Sequence, residues 1–298
     1  MTETFMGAGA PTGSSEAVVL GAAMASVYPD RHPHATAGPA AIRAASWQLS
    51  RFAGNYDFDL EGPFASWLRR LADGGDINTV RADAEGNRRR ITSAVSAIVD
   101  RGAMPLVLGG DDSVAEPFVA GWRDHGPITV VQIDAHLDFR DEVGGEPHGY
   151  SSPMRRASEM GWVRRIVHVG QRGVGSARMT DVQDSIEAGN VIVRARELAH
   201  DGPAAVAGRL LENERFVIVY DVDGTDPADI PAVRAPVPGG PGAVVVSELI
   251  AALTDRGTLE GLVVTEFEPE LDPTGTSAMA IVRILCRALE GRLGRQPA

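Results

Sequence analysis

The chain has 298 residues, of which 44% are hydrophobic and 23% charged, enough for a large buried core in an ordinary globular protein. A formal net charge of −12 and an aromatic content of 5% exclude nucleic-acid partners, which need concentrated Lys and Arg or aromatic stacking platforms. No basic stretch precedes an apolar run near the start, and no apolar run is long enough for a membrane span. The single cysteine, Cys286, sits in an apolar helical pattern and cannot form an intrachain disulfide, so a cytoplasmic protein is expected.

Residues 1–16, rich in Gly, Ala, Thr and Ser, read as a flexible leader ahead of one domain over 17–298. Short β-branched runs then predict strands at 17–21, 105–108, 128–133, 165–169, 191–194, 216–222 and 262–266. These runs are apolar nearly throughout, as in parallel strands covered on both faces. Helical patterns separate them. The clearest spans 88–101, where Ile91, Val95, Ile98 and Val99 share a face and Gly102 supplies the stop. Alternation of strand and helix predicts an α/β fold: a three-layer αβα domain with a mainly parallel sheet.

Polar residues gather just after the strands. The run at 105–108 leads into Gly109-Gly110-Asp111-Asp112-Ser113, and the run at 128–133 into Asp134-Ala135-His136-Leu137-Asp138. The later runs lead into Asp221-Val222-Asp223 and into Glu266-Phe267-Glu268-Pro269. Open α/β sheets bind ligands at the carboxyl ends of their strands, and side chains at i and i+2 share a face. Asp134, His136 and Asp138, with Asp221 and Asp223, are thus placed to point into one cleft. So many carboxylates raise each other's pKa unless cations neutralise them, and oxygen donors with an imidazole suit hard divalent ions such as Mn²⁺. A cation pair would activate water for hydrolysis. Taken singly, an Asp after a strand is as well explained as a helix cap; Asp111 reads as a cap or a supporting residue, and Asp226-Pro227 and Asp229 as turn chemistry.

Together these motifs, with Pro238-Gly239-Gly240, Gly38-Pro39-Ala40-Ala41-Ile42-Arg43, Gly74-Gly75-Asp76 and the segment from Glu266 to Ala278, resemble the arginase–agmatinase (ureohydrolase) family. The resemblance implies an arginase-like fold, a pair of Mn²⁺ ions (Ni²⁺ or another divalent ion in their place), a small guanidino-type substrate, release of urea, and a homotrimer or homohexamer. It implies Asp134 and Asp221 as bridging ligands, His136 and Asp223 on one ion and Asp138 on the other. Asp138, Glu266 and His148 are its catalytic residues, with Glu266 receiving the guanidinium and His148 shuttling the proton; a shifted alignment puts Tyr150 in the shuttle's place. The family has a histidine ligand where this chain has Asp112. An aspartate oxygen can still ligate a hard cation, or it marks a one-metal or degenerate site.

Substrate choice is left open by the loop at 139–147. It lacks the Asn and Ser groups of arginases; Asp141, Glu142 and Glu146 would welcome a cationic tail as in agmatine, while Arg140 could pair the carboxylate of a guanidino acid. The competing readings are hydrolysis of a formimino or other linear amidine, and a metal-poor pseudoenzyme that partners an active paralogue. His32 and His34 read as solvated or subunit-contact histidines, and His125, His168 and His200 have no ligand-like spacing. Arg155, Arg156, Arg164, Arg165 and Arg172 read as a solvated face.

Overall fold

The computed structural model describes residues 3–210 and 212–294. Among them, eight strands form the main sheet: β1 (Ala17–Ala22), β2 (Leu71–Asp76), β3 (Met104–Gly109), β4 (Ile128–Ile133), β5 (Val163–Gln171), β6 (Val191–Arg194), β7 (Glu214–Asp221) and β8 (Gly257–Thr265). Their order across the sheet is β2-β1-β3-β8-β7-β4-β5-β6. Every pairing is parallel, so all the carboxyl ends lie along one edge.

Parallel neighbours need crossover connections, and here these are mostly helices: α1 (Gly38–Ser50), α2 (Ala84–Val99), α3 (Ala115–Ala120), α4 (Pro153–Ser158), α5 (Met179–Glu187), α6 (Ala195–Asp201), α7 (Pro203–Ala207), α8 (Ala243–Arg256) and α9 (Thr276–Leu289). The two-residue period of a strand divides the core in two. Leu106, Leu108, Ile218, Tyr220, Leu262 and Val264 pack with Ile42 of α1, Leu249 of α8 and Ile281 of α9. Their neighbours Val107, Val217, Val219 and Val263 pack with Ile91 of α2, Phe118 of α3 and Met154 of α4. The predicted three-layer αβα arrangement is therefore present, and burial on both faces explains why the strands are apolar throughout.

Two differences from the sequence reading share one cause. β2 (Leu-Ala-Asp-Gly-Gly-Asp) has no apolar run because it is an edge strand whose last three residues are exposed. It is held instead by Arg43 of α1, whose Nε donates to Asp73 at 2.8 Å and whose guanidinium also reaches Asp76 at 2.6 Å. The same Asp73 accepts the backbone N–H of Phe5 at 2.8 Å. The stretch expected to be a flexible leader is thus packed on the fold where it is described: Phe5 and Met6 are fully buried, and Gly9 bridges to Ala72. Met1 and Thr2 lie outside the described residues.

The helix expected at 88–101 starts earlier, at Ala84, because Asp83 accepts the N–H of Gly86 and caps a polar first turn. Among the described residues no helix is long and apolar enough to cross a membrane.

Candidate metal centre and active site

β3, β8, β7 and β4 are consecutive neighbours, so the loops after them converge although their residues are up to 154 positions apart. Two groups of ligand atoms form there, each within 4.8 Å: Asp134, His136 and Asp223; and Asp112, Asp134 and Asp138. Asp134 belongs to both. Asp221 belongs to neither, but it is buried, lines the same cavity, and its Oδ1 accepts the N–H of Asp223 at 2.8 Å.

Backbone geometry fixes these side chains. Asp138 and Glu266 adopt left-handed conformations, with φ of 45° and 67°, a backbone cost for residues other than glycine. The Glu266 N–H donates to the carbonyl of Gly110 at 2.8 Å. Gly110 itself passes so close to Ala23 that a Cβ would lie 1.9 Å from that residue's carbonyl oxygen. A glycine is required there.

Burial pushes the Asp134 carboxyl up to about 7, and the charge of Asp223 adds to the shift. Burial also holds Asp112, Asp138 and Asp221 well above the usual carboxylate range, with neighbouring carboxylates contributing. His136 answers in the opposite sense. Burial alone would push it down, but hydrogen bonds and charge from Asp134 and Asp223 lift it to about 11. Its Nδ1 lies 3.0 Å from Asp223 Oδ2 and 3.6 Å from Asp134 Oδ1.

The donor set fits divalent metal. Asp112 Oδ1 accepts from Thr265 Oγ1 at 2.7 Å, whereas its buried Oδ2 has no hydrogen-bond partner. An orphaned carboxylate oxygen grouped with Asp134 and Asp138 suits a hard cation. Behind Asp134 runs a neutral string. Gln132 Nε2 donates to Asp134 Oδ2 at 2.6 Å, so its oxygen accepts from His168 Nδ1 at 2.5 Å, and His168 Nε2 accepts from Ser185 Oγ at 3.1 Å. Burial pushes His168 down to about 3 and keeps it neutral.

The cavity over these groups has a volume of about 320 Å³. A larger hollow of about 720 Å³ between α7, α8 and α9 contains none of them.

Three sequence readings are corrected here. His34 is not solvated: it is buried, and its Nε2 lies 2.8 and 3.0 Å from the two oxygens of Glu266. The available signal was position, since the loop after β1 opens on the same edge as every other site loop. His148 does not line the cavity; its Nδ1 pairs with Glu116 of α3 at 2.8 Å. Tyr150 lines the cavity instead, its ring edge-on to His34 at 5.0 Å and to Tyr28 at 4.6 Å. Gly149 causes the change of side, because it lies against the Tyr28 ring, where a Cβ would approach to 2.3 Å. Arg172 is not part of a solvated face; its guanidinium donates to the carbonyls of Val237, Gly170, Gly224, Asp223 and Thr225 and ties the loop after β7 in place.

The profile of the Arginase family matches residues 15–290, nearly the whole chain. The chain is a member of the arginase family. It is 30% identical over 263 residues to a mitochondrial agmatinase of Gallus gallus, covering 86% of this chain and 75% of that protein. It is 28% identical over 261 residues to the guanidinobutyrase of Pseudomonas aeruginosa, covering 85% and 79%. Among solved structures, the proclavaminate amidino hydrolase of Streptomyces clavuligerus superposes with a TM-score of 0.82 at 25% identity, over 98% of this chain and 97% of that one. This arginase-family chain is accordingly a hydrolase of amidino carbon–nitrogen bonds.

Proposed function

We propose that the enzyme holds two divalent cations, Mn²⁺ the best match to its donors, and hydrolyses a guanidino substrate to an amine and urea. The observation that carries this reading is the pair of ligand groups sharing Asp134 beneath one cavity, with Glu266 in its wall. Asp134 would serve both ions, with His136 and Asp223 completing one site and Asp112 and Asp138 the other; the family resemblance adds Asp221 as a second bridge. When bound, the cations make water a competent nucleophile near neutral pH.

The remaining chemistry belongs to the chain. Glu266 offers two oxygens to the planar guanidinium, a charge-assisted and potentially bidentate pair. The leaving amine needs a proton, and His34 and His136 are the imidazoles among the cavity residues. With His136 assigned to a cation, His34 takes the shuttle role that the family resemblance implies for His148. The lone buried Cys286 suits a reducing cytoplasm. A homotrimer or homohexamer would cover the exposed apolar side chains Val174, Met179 and Ile186 on and beside α5.

The test is metal content together with urea release over a panel of guanidino compounds. Two ions per chain and urea from at least one compound are expected; near-zero metal and no urea would overturn the reading. Glu266→Gln should lower kcat/KM on the order of a hundredfold, as expected for breaking a buried charged pair, with both ions retained. Loss of metal in that variant would make Glu266 a ligand instead.

Asp112→Ala removes the donor with the orphaned oxygen and should weaken one of the two ions selectively. Metal titration decides this. If the alanine variant binds both ions as tightly as the parent, Asp112 is not a ligand.

A further inference from the structure

The cavity carries a second chemical pattern, which extends the guanidino-hydrolase reading and rests on it. Carboxylates crowd its floor, yet two arginines, Arg31 and Arg234, also line it. Arg234 already has a counter-ion, with Nε 3.2 Å from Glu268 Oε1. Arg31 makes no ion pair among the described residues. Its side-chain hydrogen bond there goes to the phenol oxygen of Tyr150, at 2.6 Å. The guanidinium also lies 5.8 Å from the ring centres of both Tyr28 and Tyr150. Those contacts fix its position and leave it with no carboxylate counter-ion among the described residues.

Successive contacts relate this cation to the reacting end. Glu266 is bonded to His34, whose ring meets Tyr150 edge-on, and Tyr150 is bonded to Arg31. The acids that the sequence offered to a cationic tail are elsewhere. Asp141 is exposed and 2.6 Å from Arg156, Glu142 is exposed, and Glu146 accepts the N–H of His148. Arg140, the sequence candidate for a carboxylate, is engaged with the carbonyl of Ser176 and with Asp181.

We propose that the substrate is an ω-guanidino acid, with its guanidinium at Glu266 and its carboxylate at Arg31, and with Arg234 as a second positive neighbour. A carboxylate there gains a planar, positioned partner. An ammonium tail would face two guanidinium groups instead, and like charges this close raise the cost of binding.

The experiment compares kcat/KM for 4-guanidinobutanoate and agmatine, which differ only in their tails, using the Mn²⁺-loaded enzyme. The acid should be preferred by on the order of a hundredfold. Arg31→Met should collapse that ratio toward unity, mainly through KM for the acid, whereas Arg31→Lys should restore part of it. A purely structural role would lower both substrates together and leave the ratio unmoved. Agmatine preferred over the acid, or an unchanged ratio in Arg31→Met, overturns the assignment. If no guanidino compound yields urea, the functional reading fails separately, and calorimetric binding then decides the tail. Tighter binding of the acid than of agmatine, lost in Arg31→Met, upholds it; any other order overturns it.

Discussion

Asp134→Asn should lose both cations and lower turnover by on the order of a thousandfold or more, because no other side chain belongs to both ligand groups. The variant removes the negative charge and also upsets the hydrogen bonds behind it. Asp134 accepts from Gln132 Nε2 at one oxygen and from the His136 N–H at the other, so an amide NH₂ must meet one of two donors. Asp223→Asn should behave differently. Asp223 is grouped only with His136 and Asp134, and its loss should weaken one ion and spare its neighbour. Mass spectrometry of the metal content separates the two outcomes. Two ions retained in Asp134→Asn would remove it from the bridging position.

Metal removal should reverse the usual pH dependence of stability. Asp134 is pushed up to about 7 and Asp111 to about 6, both mainly by burial, and Asp112, Asp138 and Asp221 move the same way. In the unfolded chain these carboxyls titrate near ~4. Between the two values the folded state binds more protons, so stability falls as pH rises through that window. His136, lifted to about 11 from ~6.5, continues the fall above neutrality. His168 acts in the opposite sense, since its folded value of about 3 makes the unfolded chain the better proton binder below ~6.5, but it is one group against six.

The chelated enzyme should therefore melt at a higher temperature near pH 5 than near pH 8. Mn²⁺ binds the deprotonated carboxylates, so it should raise the melting temperature more at pH 8 than at pH 5. At a hundred times Kd the gain is about 2.7 kcal/mol, or about 4 °C for a chain of this size. Calorimetry with and without chelator measures both. A chelated melting temperature that climbs from pH 5 to pH 8 would show that the cluster does not carry this charge strain.

Much of this was legible before any coordinates. Central strands buried on both faces must be apolar, and the ligand-bearing loops follow such strands, so Asp134, His136, Asp138, Asp221 and Asp223 could be placed at one edge from their offsets, and the family resemblance added Asp112. β2 escaped because an edge strand held by Arg43 needs no apolar run. His34 escaped because a histidine in a Pro-containing loop has no periodicity to mark it, and its partner Glu266 is 232 residues away. Which of His148 and Tyr150 lines the cavity turned on the path of a single glycine against the Tyr28 ring. No spacing rule contains that contact.

The strand order also bears on how the chain assembles. β8 is the last strand made, yet it lies between β3 and β7, pairing Leu262 with Leu106 on one side and with Ile218 on the other. Until it arrives, β2-β1-β3 and β7-β4-β5-β6 have no shared ladder, and these long-range pairings are the slow ones to form. Asp134, His136 and Asp223 all belong to the second block, so their group can assemble while the C-terminal segment is still unpaired. Asp112 belongs to the first block and reaches Asp134 and Asp138 only when β8 slots between them. One half of the centre thus draws on a single contiguous block of strands, and the other exists only once the final strand is in place.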